Sequence, residues 1–364
     1  MSQTANFHGS DIDAVGEHYG IDPSDIINYS GNVNPMGIPP MVHHALINHI
    51  GVIGEYPERD YHHLLLALST YTGLPTDRLL LGSGSTELIS HFIHYVHPSH
   101  AMVIGPTYSE YKSELNKVGA EVTTYRLTKD THFTLHIPTL IQSLHDETKL
   151  IILCNPNNPT SSFVPTADLR DLLDYCESKG IFVMIDETYI EFYTLKVDQS
   201  AFSLVNEYTC LFVIRGVSKF YGLPGIRLGY AGSSHPHVLT AFSDEEKPWS
   251  VNSIADYCGR FIFFDTAFIQ ESTTFIHKEK ERIQKTLSSI SALRLYPSYT
   301  NFFIVEILEP SIDSDQLFEH LIKQQMMIRS LSHYDGIGNR FFRFCIMDES
   351  ANTQLLDALS HLFA

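Results

Sequence analysis

Residues 214–230 read IRGVSKFYGLPGIRLGY, and Lys219 comes directly after an apolar run that predicts a buried strand. Burying an ammonium group costs free energy unless the lysine pKa falls or the amine takes part in chemistry. Arg227 follows eight residues later, and Gly222 and Gly225 lie between the two cations. Lys219 is therefore either a surface lysine whose stem packs along the core or an amine nucleophile.

The length and the charge of the chain restrict its architecture and its partners. A chain of 364 residues exceeds the size at which single hydrophobic cores stop growing, so we expect one large and one smaller domain. The 42 acidic residues outnumber the 24 basic ones, which gives a formal net charge of −18. Such a charge disfavours nucleic acids and anionic membranes as partners. An anionic substrate would have to be bound by a few local arginines.

Cysteine usage and the N-terminal sequence predict a compartment. The five cysteines are scattered without C-x-x-C spacing, which is typical of free thiols in a reducing environment. The first residues contain no basic segment followed by an apolar one, and no apolar run reaches about 18 residues. We therefore expect a cytoplasmic protein without a membrane span. The histidines form no H-E-x-x-H motif, so we expect no metal site.

The middle of the chain alternates short apolar runs with amphipathic stretches. Several runs are apolar throughout, which indicates strands that helices cover on both faces. This alternation predicts an α/β fold with a large, mainly parallel seven-stranded sheet covered by helices. One such helix is expected to start with Thr166 as its N-cap and to stop at Gly180. The predicted strands are 79–82, 101–105, 121–127, 150–154, 181–186, 210–215 and 227–232.

After about residue 250 the pattern changes and predicts a smaller, discontinuous α+β domain. We expect the large domain to span 51–289, and the small one to combine 1–50 with 290–364. The expected elements are a long helical stretch (about 252–292), strands at 301–307, 326–331 and 340–346, a helix at 314–323 and a terminal helix.

Three further motifs follow apolar runs, as Lys219 does. The motif SGSTE (83–87) combines a glycine turn with a helix start, which suits phosphate binding. The motif CNPNNPTS (154–161) puts Asn158 at a strand end, where open α/β sheets bind ligands. Asp186 ends another apolar run and needs a cation or hydrogen bonds to stay ionised. Taken singly, each also fits an ordinary turn or a turn cap.

Taken together, the four motifs match the requirements of pyridoxal phosphate (PLP). This cofactor needs a Schiff-base lysine, a carboxylate on its pyridine nitrogen and a phosphate cradle. Lysine amines become nucleophilic when they are desolvated or placed beside other cations. Chance assembly of all four motifs in this order is improbable, so the sequence predicts a PLP enzyme with Lys219 as its nucleophile.

These motifs resemble those of fold-type I PLP enzymes of the aminotransferase class I/II family, and the resemblance covers essentially the whole chain. It implies that Lys219 forms the Schiff base, that Asp186 pairs with the pyridinium and that Tyr108 stacks on the ring. The resemblance also implies which residues bind the rest of the cofactor. Those at its phosphate would be Gly84, Ser85, Thr86, Ser218 and Arg227, and those at its ring oxygen would be Asn158 and Tyr189. Tyr56 would reach the cofactor of a neighbouring subunit, which implies a homodimer with shared active sites.

Two positions depart from the pattern of that family. Ser161 stands where the family has the glycine of Asn-Pro-Thr-Gly. Gly216 stands where the family has a serine or threonine two residues before Ser218, so one hydroxyl for the phosphate is absent. We expect these departures to lower the affinity for the cofactor without removing its chemistry.

Within the family, the chain resembles the threonine-phosphate decarboxylases of cobalamin synthesis in several separate places. These are NFHGSDIDAVGEHYGIDPSDIINYSGNVNPMG near the N-terminus, KPWSVNSIAD and MMIRSLSHYDGIGNRFFRF. The resemblance implies a phosphorylated amino-acid substrate, contacted by His8, Asn32, Asn158, Arg329 and Arg343. Arginine suits bidentate phosphate recognition.

The reaction depends on which substrate bond lies perpendicular to the cofactor ring. If the arginines hold the substrate phosphate, the carboxylate can turn out of the ring plane and leave as CO₂. Three alternatives stay open: a phosphoserine decarboxylase, a histidinol-phosphate aminotransferase and a PLP-binding sensor without turnover. Phosphothreonine and phosphoserine differ by one methyl group, which is worth only ~1–3 kcal/mol.

Overall fold

The structure is a computed structural model that describes residues 7–245 and 249–363. Asn6, Lys247 and Pro248 of the motifs above lie outside the described residues. The strands are β1 (Ile27–Asn28), β2 (Leu79–Gly82), β3 (His100–Gly105), β4 (Glu121–Arg126), β5 (Thr148–Cys154), β6 (Phe182–Asp186), β7 (Leu211–Gly216), β8 (Gly229–Ser233), β9 (Leu293–Leu295), β10 (Phe302–Ile307), β11 (Met326–Met327), β12 (Arg329–Ser330) and β13 (Phe341–Cys345). The helices are α1 (Ile12–Tyr19), α2 (Pro40–His49), α3 (His62–Thr72), α4 (Ser85–Val96), α5 (Ser109–Lys117), α6 (Ile137–Gln142), α7 (Thr166–Lys179), α8 (Pro236–Glu245), α9 (Ser253–Gly259), α10 (Thr266–Leu287), α11 (Ser314–Ile322) and α12 (Glu349–Leu362).

The larger sheet has the strand order β2-β8-β7-β6-β5-β3-β4. Its neighbours run parallel except β8, which is antiparallel to both β2 and β7. Helices cover its central strands, and Phe92 of α4 stacks on Phe212 of β7 with ring centroids 4.0 Å apart. This double cover explains why β7 is buried along its whole length and why its first four residues are all apolar. The predicted fold class is confirmed.

The second sheet is antiparallel, with the order β12-β13-β10-β9. The N-terminal segment contributes β1, which pairs in parallel with β11, so the two ends of the chain meet. The seven-stranded sheet falls inside the predicted large domain, 51–289, and the other strands fall inside the predicted small domain, 1–50 with 290–364. The domain boundaries stay predictions. In the part of the chain that the structure describes, no helix has both the length and the apolarity to cross a bilayer.

Three sequence-based element assignments were wrong. The helical stretch 252–292 is divided into α9 and α10, because the Asp265 carboxylate accepts a hydrogen bond from Phe268 N–H and starts a new helix. The run 326–331 is split because β11 pairs with β1 while β12 pairs with β13. Thr166 is the first residue of α7 rather than its N-cap, and its hydroxyl donates to the carbonyl oxygen of Asp198 at 3.3 Å.

The loop that carries Lys219 is held by the N-terminal segment. Asn34 N–H donates to the Lys219 carbonyl oxygen at 2.9 Å, and its side-chain amide donates to the Phe220 carbonyl oxygen at 2.7 Å. Gly222 has φ +64°, and a β-carbon there would lie 2.5 Å from the Gly37 carbonyl oxygen. Only glycine fits this close approach without moving the backbone. Gly225, in the same loop, has no atom near its β-position.

This contrast predicts that Gly222→Ala and Gly225→Ala differ sharply in stability. Alanine at 222 meets both the left-handed backbone and the Gly37 carbonyl, so the free energy of unfolding should fall by more than about 1–2 kcal/mol. Alanine at 225 should change it by less than about 0.5 kcal/mol. Urea unfolding of both variants measures the two free energies of unfolding. An equal decrease in both would contradict the close packing of Gly222 against Gly37.

Candidate active site

The larger sheet brings the predicted chemical residues to one edge. Cys154, Asp186 and Ile214 are register partners at the carboxyl ends of β5, β6 and β7, and Asn158 and Lys219 follow directly in the chain. These strand ends open into a cavity of about 610 Å³. Every predicted site residue lines this cavity except Gly84 and Tyr56. The lining set is His8, Asn32, Ser85, Thr86, Tyr108, Asn158, Asp186, Tyr189, Ser218, Lys219, Arg227, Arg329 and Arg343.

Lys219 lies in the cavity wall, largely shielded from solvent. Its ammonium donates a hydrogen bond to the carbonyl oxygen of Gly31 at 2.8 Å. Burial, above all, and the charge of Arg343 lower the pKa of Lys219 to about 8. At neutral pH roughly a tenth of such an amine is uncharged, which is the form that attacks a carbonyl. The surface-lysine interpretation does not fit this environment.

Asp186 is buried and hydrogen-bonded at the bottom of the cavity. It accepts hydrogen bonds from the N–H and the hydroxyl of Thr188 at 2.9 and 2.5 Å, and from the Tyr111 hydroxyl at 2.7 Å. Burial raises the pKa of Asp186, and these hydrogen bonds oppose the shift. Sequence reasoning missed Tyr111 and Thr188. Tyr111 lies one helical turn after Tyr108, and this spacing was the available signal.

A glycine turn and a helix N-terminus form a cradle beside Lys219. Gly84, with φ +87°, precedes α4, and a β-carbon on it would lie only 2.2 Å from Arg227 Nη2. Gly229 approaches the same turn, since a β-carbon there would lie 2.5 Å from Ser85 N. The two glycines therefore let the free N–H groups of α4 and the Arg227 guanidinium meet at one place. Such a combination binds phosphate.

The two departures from the family pattern have different surroundings. A β-carbon on Gly216 would lie 3.7 Å from Ser85 Oγ, so the hydroxyl of Ser85 is next to the place of the missing one. Ser161 is fully buried and does not line the cavity. The expected loss of cofactor affinity stays a prediction for both positions.

Arg343 connects the two sheets at the cavity. It extends from β13, and its Nη1 donates to Asn158 Oδ1 in the turn after β5. Its Nη2 donates to the carbonyl oxygen of Ser30 at 2.7 Å, and its guanidinium lies 5.3 Å from the centre of the Phe302 ring. Within the described part of the chain, its buried Nε has no hydrogen-bond partner. Both hydrogen-bond partners are neutral, so the charge of Arg343 is free to attract an anion.

Arg329, His8 and Asn32 lie near Arg343. Arg329 is the register partner of Arg343 in the small sheet. Burial and the charge of Arg329 lower the pKa of His8, so the imidazole tends to be neutral. The Asn32 amide donates to the Tyr189 hydroxyl at 3.4 Å, while its Oδ1 is buried without a partner among the described residues. The structure thus brings the predicted substrate residues together.

A loop after β12 forms another part of the wall. It lies within the stretch MMIRSLSHYDGIGNRFFRF, but none of its residues was among the predicted site residues. Tyr334 lies over Arg329, whose guanidinium is 5.8 Å from the ring centre. Asp335 pairs with Lys112 of α5 at 3.3 Å and with Arg126 of β4 at 3.1 Å. These two ion pairs attach the loop to the large domain that contains the larger sheet.

A buried network supports the turn behind Asp186. Arg215 of β7 donates to Glu187 Oε2 at 2.9 and 3.0 Å and to Ser200 Oγ at 2.5 Å. Burial raises the pKa of the nearby Glu191 to about 7, against the charge of Arg215. This network joins Glu187, directly after Asp186, to the strand that precedes Lys219. Sequence reasoning did not find it.

Tyr56 lies away from this cavity. Its side chain is 79% exposed, and its ring packs against Trp249 with centroids 4.5 Å apart. The predicted role of Tyr56 requires a second subunit. Within residues 7–245 and 249–363, no three His, Cys, Asp or Glu side chains are grouped to hold a metal ion.

The cavity fits PLP. The cradle at Gly84 and Arg227 suits the phosphate, the hydrogen-bonded carboxylate of Asp186 suits the pyridine nitrogen, and the amine of Lys219 suits the aldehyde. The unpartnered Asn32 Oδ1 and Arg343 Nε leave polar groups for a bound ligand. Apart from Gly84 and Tyr56, the predicted cofactor residues line one cavity of a single chain, and the hydroxyl that the family pattern has at position 216 is absent.

Comparison with known proteins identifies the family. The model of the family described as aminotransferase class I and II matches residues 24–359. The chain is 30% identical to the threonine-phosphate decarboxylase of Salmonella typhimurium, over 98% of this chain and 96% of that protein. It is also 30% identical to the histidinol-phosphate aminotransferase of Methanosarcina mazei, over 96% and 92% of the two chains.

The solved structures agree with this result. The structure of the histidinol-phosphate aminotransferase from Clostridium acetobutylicum matches with a TM-score of 0.86 and 30% identity. The match covers 92% of this chain and 98% of that one. Equal identity to a decarboxylase and to aminotransferases means that similarity alone does not select the reaction. The chain belongs to the aminotransferase class I and II family and is a PLP-dependent enzyme.

Proposed function

We propose that this enzyme decarboxylates O-phospho-L-threonine to (R)-1-amino-2-propanol phosphate in cobalamin synthesis. The observation that carries the proposal is the group formed by Arg329, Arg343 and His8 in the same cavity as Lys219. Among the described residues, neither arginine forms an ion pair with a carboxylate. The two arginines therefore suit a phosphate group, which each guanidinium can bind in a bidentate manner. The similarity to a threonine-phosphate decarboxylase over 98% of the chain supports the same substrate class.

Electrostatics favour a substrate with several negative charges. The chain carries a net charge of −18, yet Lys219, Arg227, Arg329 and Arg343 all line one cavity. A positively lined cleft with low-dielectric walls attracts anions in spite of the opposing field of the surface. A phosphorylated amino acid carries a phosphate and a carboxylate, so it can occupy this cleft with both groups paired.

The proposed reaction replaces a carboxylate by a proton at the substrate α-carbon. Bound PLP supplies an electron sink for the electron pair of the breaking bond. Asp186 keeps a negative charge at the bottom of the cavity, held by Thr188 and Tyr111. Arg329, Arg343 and His8 would hold the phosphate, which leaves the carboxylate as the group that departs. Lys219 Nζ, with a pKa of about 8, delivers the proton that takes the place of CO₂.

One observation favours a second candidate, an aminotransferase acting on a phosphorylated amine. Arg343 donates to Asn158, the residue proposed to hold the ring oxygen of the cofactor. In an aminotransferase, Arg343 would instead bind the substrate carboxylate and retain it, and the α-proton would be the group that leaves. The 30% identity to a histidinol-phosphate aminotransferase is in keeping with this alternative.

We expect Lys219→Ala to lose the visible absorbance of the bound cofactor, because no amine remains to bond the aldehyde. Lys280→Ala is the matched control. Lys280 is also buried with its pKa lowered to about 8, but it lies outside the cavity. The spectrum of the control should equal that of the wild type. An unchanged band in the Lys219 variant would remove the central assignment.

The reaction is tested by offering the holoenzyme phosphothreonine, phosphoserine, threonine and histidinol phosphate with a keto-acid. We expect CO₂ release from phosphothreonine and none from threonine. Arg329→Ala should raise the KM for phosphothreonine by about 30-fold or more, the equivalent of at least ~2 kcal/mol for a lost charged pair. Arg294→Ala, in the same sheet but outside the cavity, should leave it unchanged.

Each other result has a definite meaning for the proposal. Keto-acid exchange with histidinol phosphate and no CO₂ would establish the aminotransferase. A preference for phosphoserine would keep the reaction and change the substrate. Equal turnover of threonine and phosphothreonine would contradict the phosphate site, and cofactor binding without any turnover would indicate a sensor.

We also propose a homodimer that completes each site with the partner's Tyr56. Exposed apolar side chains are frequent in α2 and in the segments directly before and after it: Met36, Ile38, Met41, Ile47, Ile50, Ile53 and Tyr56. Such a concentration of exposed apolar side chains is typical of an interface between subunits.

Light scattering should give the mass of two chains, and Ile47→Glu with Ile53→Glu should give that of one. Mixing Lys219→Ala with Tyr56→Ala subunits should restore activity, because one site of each mixed dimer then contains both native residues. No recovery in a demonstrated mixed dimer would argue against shared sites.

A further inference from the structure

Ser161 occupies a backbone conformation that favours glycine. It ends the turn that follows β5, three residues after Asn158, and its φ is +58°. In this left-handed region a β-carbon crowds the backbone, a steric cost that the glycine of the family pattern avoids. Ser161 is also fully buried. A buried, strained serine in place of glycine requires a compensating interaction.

The compensation is a chain of hydrogen bonds from the Ser161 hydroxyl to the other sheet. Tyr299 N–H donates to Ser161 Oγ at 2.9 Å, and Ser161 Oγ donates to Ser298 Oγ at 3.2 Å. Ser298 Oγ in turn donates to the Phe302 carbonyl oxygen at 2.6 Å. Thr300 Oγ1 lies 2.7 Å from the same Ser161 oxygen. A glycine at 161 would make none of these side-chain contacts.

This chain of hydroxyls ends directly behind the substrate cavity. The Phe302 ring packs edge-on against Tyr189, with centroids 5.1 Å apart, and its face lies 5.3 Å from the Arg343 guanidinium. Arg343 also contacts the turn that contains Ser161, because its Nη1 donates to Asn158 Oδ1. The turn after β5 is therefore bound to the small sheet twice, by Ser161 at its end and by Asn158 in its middle.

We propose that Ser161 is a positioning residue for substrate. Its hydroxyl fixes the loop 298–300 and Phe302, and through Phe302 it holds Arg343 in the orientation in which it meets both Asn158 and the substrate anion. The inference rests on the proposed function only for the identity of that anion as a phosphorylated amino acid. It gives Ser161 a role in substrate affinity, where the family pattern implies a loss of cofactor affinity.

The test uses the holoenzyme with Ser161→Gly, which restores the residue of the family pattern and relieves the backbone strain. The readouts are KM and kcat for phosphothreonine, the dissociation constant of inorganic phosphate by calorimetry, and the visible absorbance of the bound cofactor. We expect KM and the phosphate dissociation constant to rise about tenfold, as for the loss of one well-placed polar contact to a charged site. kcat should change less than about twofold, and the absorbance should not change.

Three further variants separate positioning from general stability. Thr300→Val removes the hydroxyl that contacts Ser161 and keeps the shape of the side chain, so it should also raise KM. Thr300→Ser keeps the hydroxyl and should have the wild-type KM. Ser233→Ala removes another buried hydroxyl, which contacts the Leu211 carbonyl within the larger sheet, and should leave KM unchanged. This control measures how the loss of a buried hydroxyl elsewhere in the protein affects KM.

The possible results decide the inference in either direction. It is overturned if Ser161→Gly behaves as Ser233→Ala does, if kcat falls at constant KM, or if the cofactor absorbance is lost. If the wild type releases no CO₂, the proposed function fails. The inference about Ser161 is then decided by comparing the phosphate dissociation constants of the wild type and Ser161→Gly. If the wild type is active and neither constant rises in Ser161→Gly, the inference alone fails.

Discussion

The site depends on one buried cation, Arg343, that touches three separate parts of the chain. Its guanidinium donates to Asn158 in the larger sheet and to the Ser30 carbonyl in the N-terminal segment, and it lies over Phe302 of the small sheet. Burying a guanidinium costs free energy that paired donors reduce. Nη1 and Nη2 of Arg343 are paired, whereas its buried Nε has no partner among the described residues. Because these partners are neutral, the positive charge stays uncompensated until an anion binds.

The consequences of this charge extend to the nucleophile. Arg343 adds to burial in lowering the pKa of Lys219, which makes the amine available near neutral pH. In the proposed function the same charge binds the substrate anion, so Arg343 would contribute both to substrate binding and to the lowered pKa of Lys219. In a chain with a net charge of −18, such a group is effective only because the cavity walls exclude water and screening is weak.

The cavity is built where independent segments converge. The strand ends supply Asp186 and Lys219, the small sheet supplies Arg329 and Arg343, and the N-terminal segment supplies His8. Each segment is fixed by its own contacts, such as the pairing of β1 with β11 and the bond from Asn34 to the Lys219 carbonyl. Because the segments are fixed separately, we expect substitution of Ser161, which lies outside the cavity, to affect substrate binding without removing the chemistry.

Much of the fold and the site was predictable from local patterns. Apolar runs, helix starts and turn glycines identified the seven strands of the larger sheet, and the order of the motifs indicated PLP. The errors arose where a tertiary contact overrode the local pattern. The apolar run 326–331 looks like one strand, but its two halves pair with different sheets. Tyr111 and Asp335 were missed because their partners lie 75 and more than 200 residues away.

The sequence by itself determined the kind of sheet, the position of each chemical group at a strand end, and the cofactor. These properties depend on hydrophobic periodicity and on turns, which involve residues close together in the chain. The tertiary structure alone decided the electrostatic state of Lys219 and the placement of Arg343. A pKa depends on burial and on charges from other segments, and the contact between Arg343 and Asn158 joins residues 185 positions apart.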